Sequence, residues 1–190
     1  MRNFRLVLIL GLSIAVSGCV SNLGSSENYD SSITNELLDI EDIRSVDSEF
    51  DQNMYFIDNN SNIHDGLSKK DIVAAKQNSF VAKLFNQNYS NNITSFYGSS
   101  IFVYNNTESA SKDFSNFTQS LSYDIATLER KEDTENGFIT EVTVSGGNKI
   151  TTVYRQSGNT IFYTSVGHFD RFKTQETIEL ADRLEAKIKS

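Results

Sequence analysis

Phe138, Thr140, Val142 and Val144 alternate with Ile139, Glu141 and Thr143, a period of two that predicts a β-strand. Gly146-Gly147 follows as a hairpin turn, Ile150 to Arg155 continue the pattern, Ser157-Gly158-Asn159 turn again, and Thr160 to His168 return. The expectation is a three-stranded antiparallel meander. Ile178, Ala181, Leu184 and Ile188 then recur at helical spacing behind Thr174, which serves as the cap of a C-terminal helix. This stripe has little to bury against except the meander. Lys187 and Lys189 lie in its last turn, facing the negative end of the helix dipole.

Upstream, Ile93 to Tyr104 is dense in β-formers and reads as a strand, with Gly98 as a bulge position. Ala110, Phe114, Phe117 and Leu121 form one face of a helix opening at Thr107. Asp124 to Arg130 reads as a further strand, and Lys131 to Gly137 as a charged turn. Ser68 caps a short helix carrying Ile72, Ala75 and Ser79, and a strand is expected from about Phe80. Ile33, Leu37, Ile40 and Ile43 sit at spacings of 4, 3 and 3, the stripe of a short docking helix, and Met54 to Ile57 reads as a strand leading in. The expected fold class is α+β: a mostly antiparallel sheet with a C-terminal three-stranded meander, covered on one face by helices that include the C-terminal one.

The first twenty residues carry a different pattern. Arg2 and Arg5 precede an uncharged run from Leu6 to Val20, 15 residues long, short of the roughly 20 that a membrane-spanning helix needs. The run ends in Val16-Ser17-Gly18-Cys19, which resembles the lipobox of prokaryotic lipoproteins. That resemblance implies cleavage before Cys19, lipidation of its thiol, and a protein held by its lipid on the outer side of a cell membrane or envelope. Two acyl chains suit stable anchoring, because each buried CH₂ contributes about 0.8 kcal/mol.

Charge divides the remainder. Residues 20–66 hold eleven acids against Arg44 alone, whereas residues 67–190 balance fourteen of each sign. The expected organisation is a signal peptide over 1–18, a lipidated acidic tether with the short docking helix over 19–66, and an α+β domain over 67–190. The net charge of -8, without a basic patch, argues against nucleic acid as a partner. One Cys excludes a disulfide framework and a Cys-based metal site, and two His are too few for most catalytic metal centres. No cofactor is expected.

Ile101-Phe102-Val103-Tyr104-Asn105-Asn106-Thr107-Glu108-Ser109-Ala110 joins a strand to an Ala-marked helix, and Val153 to Ile161 holds an Arg-x-x-Gly-Asn hairpin. Both resemble segments of small extracytoplasmic lipoprotein domains similar to the sensor domains of some receptor kinases and to the photosystem II oxygen-evolving P subunit. The resemblance implies an α-β sandwich with a binding or accessory role and no catalysis. A single Cys departs from the kinase sensor domains, which use disulfides.

Motifs for chemistry are sparse. The sequence has neither a His-Glu-x-x-His nor a Gly-x-Ser-x-Gly motif. Tyr154, Arg155, Tyr163 and His168 form a candidate ligand-contact set, because Tyr and Arg on an exposed face suit a contact site. The competing reading packs the tyrosines under the helices and leaves Arg155 at the rim. Sequons begin at Asn59, Asn88, Asn92, Asn105 and Asn116, candidates for glycosylation where the source modifies secreted proteins. The leading expectation is a lipid-anchored extracytoplasmic domain binding a protein or small molecule without catalysis. The alternatives are an envelope structural or adhesion lipoprotein and, last, a cofactor-free hydrolase.

Overall fold

The computed structural model describes residues 37–48, 50, 55–58, 67, 71–83, 93–120, 126–144 and 146–190. The expected signal peptide, lipobox and linker, with Cys19, Asn59, Asn88 and Asn92, lie outside the described residues. The elements run α1 (Ile40–Val46), β1 (Tyr55–Asp58), β2 (Ile72–Lys83), β3 (Ile93–Tyr104), α2 (Thr107–Ser120), β4 (Ala126–Thr134), β5 (Gly137–Val144), β6 (Lys149–Ser157), β7 (Thr160–His168) and α3 (Thr174–Lys189). The strands form one sheet in the order β1-β2-β3-β7-β6-β5-β4, with every neighbouring pair antiparallel. The architecture is α+β, as the patterning predicts. The meander β5-β6-β7 is present, and its first turn uses Gly146 and Gly147 at φ 103° and 87°, a backbone region other residues rarely adopt.

Four local expectations are corrected. The segment after Asp71 is not a helix, because β2 runs as a strand from Ile72 to Lys83, hydrogen-bonded to β1 and β3. Ala74, Lys76, Asn78 and Phe80 are buried in alternation, and pairing on both sides overrides the helical spacing of Ile72, Ala75 and Ser79. Lys131 to Thr134 extend β4 rather than forming a turn. Their charge suits an exposed edge strand, where it discourages pairing with other chains. Thr174 does not cap α3. Lys173 occupies that position without a side-chain cap, and the Thr174 hydroxyl donates to Glu141 instead.

The last correction concerns the layers. The helices cover both faces of the sheet. α1 and α3 pack on one side, around Leu38, Ile43, Tyr97, Ile101, Phe162, Val166, Leu180 and Leu184. α2 packs on the other, over Phe102, Tyr104, Phe138, Tyr154, Ile161 and Tyr163. Neighbouring strand residues point to opposite faces, so Ile101 and Phe102, or Ile161 and Phe162, can both be buried only when each face is covered. The unbroken apolar runs Ile101–Tyr104 and Ile161–Tyr163 are the sequence record of this sandwich.

Candidate functional site

The four residues of the candidate contact set fall into three environments. Tyr154 and Tyr163 come together on the α2 face, with ring centroids 5.4 Å apart at paired positions of β6 and β7. Tyr154 stacks on Phe138 at 4.6 Å and meets Phe117 of α2 at 5.3 Å, while Tyr163 stacks on Phe102 at 6.0 Å. Burial pushes the Tyr163 phenol up to about 12, against the opposing hydrogen bond with Ser100. Nearby, the Tyr104 hydroxyl donates to the buried Asp113 carboxylate of α2 at 2.6 Å. Burial and that negative partner push its pKa far upward.

Arg155, one residue after Tyr154, points to the opposite face. Its Nη1 lies 2.7 Å from Asp182 Oδ1 and 2.8 Å from Glu185 Oε2, both on α3. Burial alone would raise the Glu185 pKa. Lys189 and Arg155 outweigh burial and hold the carboxyl below its ordinary value. The tyrosines lie under a helix, as the competing reading has it, but Arg155 is largely buried against α3 on the other face rather than held at a rim. His168 lies at the far end of β7, about 17 Å along the strand from Tyr163 at roughly 3.4 Å per residue. Its Nδ1 is 2.5 Å from Asp170 Oδ1, and Phe169, half exposed, packs against its ring at 4.8 Å. Of the sequons, Asn105 is exposed in the turn after β3, and Asn116 is exposed on α2. Among the described residues no group of three His, Cys, Asp or Glu could hold a metal ion.

A buried charged cluster among the described residues is not visible in the sequence. It lies between α1, β3 and the start of α3. Asp47, 7% exposed, accepts a hydrogen bond from the hydroxyl of Tyr97, which is 1% exposed, and pairs at 3.2 Å with Lys173, which is 4% exposed. Lys173 also pairs with Glu176 at 3.2 Å. Burial and the Asp47 carboxylate push the Tyr97 phenol far above its ordinary value. A second ionic clasp lies at the other end of the same helix pair. Lys187 Nζ is 3.0 Å from Asp39 Oδ2 and 2.5 Å from Asp42 Oδ2, and it also donates to the Leu37 carbonyl. The contacts run α1 antiparallel to α3. Asp39 caps α1, accepting from the backbone of Glu41 and Asp42, while Asp42 returns the bond to the Asp39 backbone. Burial works to raise the Asp39 pKa, but those backbone donors and Lys187 outweigh it and lower the value. Lys187 is raised by its two carboxylate partners, against the opposing effect of burial.

Comparison with solved structures finds a likeness of fold. The fold is similar to the extracellular domain of PknH from Mycobacterium tuberculosis, with a TM-score of 0.58 at 9% identity. The match covers 82% of this chain and 94% of that one. The likeness shows a shared fold. No protein-family model and no curated protein sequence matches the chain. Among the described residues no helix is long and apolar enough to cross a membrane.

Proposed function

We propose that the protein is a lipid-anchored extracytoplasmic domain that binds a ligand or partner, or serves as an accessory subunit, and carries out no catalysis. The observation that carries this reading is the fold shared with an extracellular domain over most of both chains. The basic, apolar and lipobox-like order of residues 2–19 supports the same location, and Cys19 gives the lone thiol a use. The side chains best suited to chemistry are committed to holding elements together: Arg155 to α3, and His168 to Asp170 in the turn beyond its own strand. A domain whose polar groups brace its helices, on a sheet covered on both faces, suits recognition through its surface and ends.

Fractionation of the native host tests the location. The protein should stay with membranes through high-salt and alkaline washes, leave them in detergent, and be digested by protease added to cells with a permeabilised outer envelope and an intact cytoplasmic membrane. Recovery in the soluble fraction, or protection from protease until the cytoplasmic membrane is broken, would overturn the reading.

A further inference from the structure

α1 belongs to the acidic segment expected to connect the anchor to the domain, yet its side chains are part of the core. Leu38, Ile43 and Phe50 share one apolar cluster with Tyr97, Ile101, Phe162, Leu180 and Leu184. The polar attachments of this segment follow a single pattern. On the sheet, Asn78 donates to the Leu38 carbonyl and Ser99 accepts from the Leu38 backbone, and these two side chains also bond each other. At the Asp47 end, Lys173 retains Glu176, and Tyr97 still accepts from Ser95 while its own O–H turns to the water that takes the place of Asp47. At the other end, Lys187 is partly exposed and so reaches water without its partners. The capping box of α1 lies wholly within α1 and Asp39. Removing the segment would therefore leave each of these domain-side polar groups either partnered or hydrated, which avoids the large penalty of an orphaned buried charge. A seven-residue helix is also too short to persist alone, so its order depends on docking.

We propose that residues 37–48 form a strap that undocks as a unit while the seven-stranded sheet stays folded, lengthening the connection between anchor and domain. Phe50, buried edge-on against Tyr97, is where the chain remains held when the strap is open, ahead of β1 on the sheet. Undocking frees twelve residues of the connection, a contour of about 40 Å at full extension in place of their compact docked path. The ionic clasps on α3 set how often this happens. The change in reach rests on the lipid anchor proposed above, whereas undocking does not depend on it.

Amide hydrogen exchange on the full chain tests undocking directly. In the wild type the α1 amides of Ile43 and Arg44 should be protected, but about tenfold less or weaker still than those of Phe162 and Tyr163 in β7. Lys187→Ala should speed exchange in α1 several-fold, and because it is the docked state that is destabilised, β7 should shift by no more than the same factor and stay at least tenfold better protected. If α1 and β7 exchange at one rate in the wild type and in the variant, the segment is an integral part of the fold and the proposal fails. Absence of protection in α1 overturns it equally, since the strap would then never dock. Loss of fatty-acid attachment in a separate labelling experiment would remove the anchor and leave the exchange result standing.

Discussion

Leu184→Ala measures how firmly α3 is bound to the sheet. Leu184 is 0% exposed and lies in the cluster that joins α3 to Ile43 of α1 and to Ile101 and Phe162 of the sheet. The substitution removes three carbons. At about 0.8 kcal/mol per buried methylene the lost transfer free energy is about 2.4 kcal/mol. A cavity term adds to this, because the site is walled by a sheet below and a second helix beside it and cannot collapse freely. The expected loss is therefore about 3–4 kcal/mol, a large share of the roughly 5–15 kcal/mol that holds a domain together. Urea denaturation followed by circular dichroism should show a lower midpoint with an unchanged slope. A loss below about 1 kcal/mol would mean that α3 is not packed where the structure places it.

Lys187→Ala should cost about 1 kcal/mol through its bonds to Leu37, Asp39 and Asp42, and Lys189→Ala, whose pair with Glu185 is exposed, less than about 0.5 kcal/mol in the same melts. The Lys187 clasp should also show in pH dependence. The Asp39 carboxyl is depressed below 3.8, so its contribution is complete above that value and lost as pH falls through the lower folded value. Lys187 is raised above 10.5, so its contribution is complete below that value and lost as pH rises through the higher folded one. The stability gap between wild type and Lys187→Ala should thus be flat from about pH 5 to 9 and narrow at both extremes; a gap that widens at pH 3 contradicts this. Gly167→Ala places a methyl group against the Phe96 ring and should cost about 1–3 kcal/mol, with a double-mutant cycle against Phe96→Ala recovering much of the loss. Tyr163→Phe should remove one late phenol transition, near pH 12, from the ultraviolet titration of the folded protein.

Helical spacing marks the elements with one buried face: the stripe of α3 is of this kind, and so in part is the docking helix, where Ile40 and Ile43 lie in α1 but Leu37 precedes it. The β5–β7 meander is buried on both faces and is legible through its β-formers and glycine turns. β2 is hard to read from sequence because Ala74 and Ala75 are equal in size and blur the alternation that its neighbours impose. The two-sided layering was written in Ile101–Tyr104 but was masked by expecting one wet face. The charged cluster could not be found in this way. Asp47 and Lys173 stand 126 residues apart, and each looks like one of many surface charges until the fold brings them to 3.2 Å. Lys187 illustrates the same limit. Its position in the last turn predicts a small effect through the helix dipole, whereas its three contacts with the α1 segment arise from tertiary structure alone. Tyr154, Tyr163 and Arg155 suit one contact site by composition, yet Tyr154 and Arg155 are adjacent on a strand and so cannot share a face.

Intact mass spectrometry of the protein extracted from native membranes tests the central claim most directly. A lipid-anchored protein should begin at Cys19, with residues 1–18 absent and the mass increased by a diacylglycerol group on the thiol, and Cys19→Ser should lack that increment. A mass corresponding to an unmodified chain beginning at Met1, or to a cut elsewhere with a free Cys19, would contradict the account.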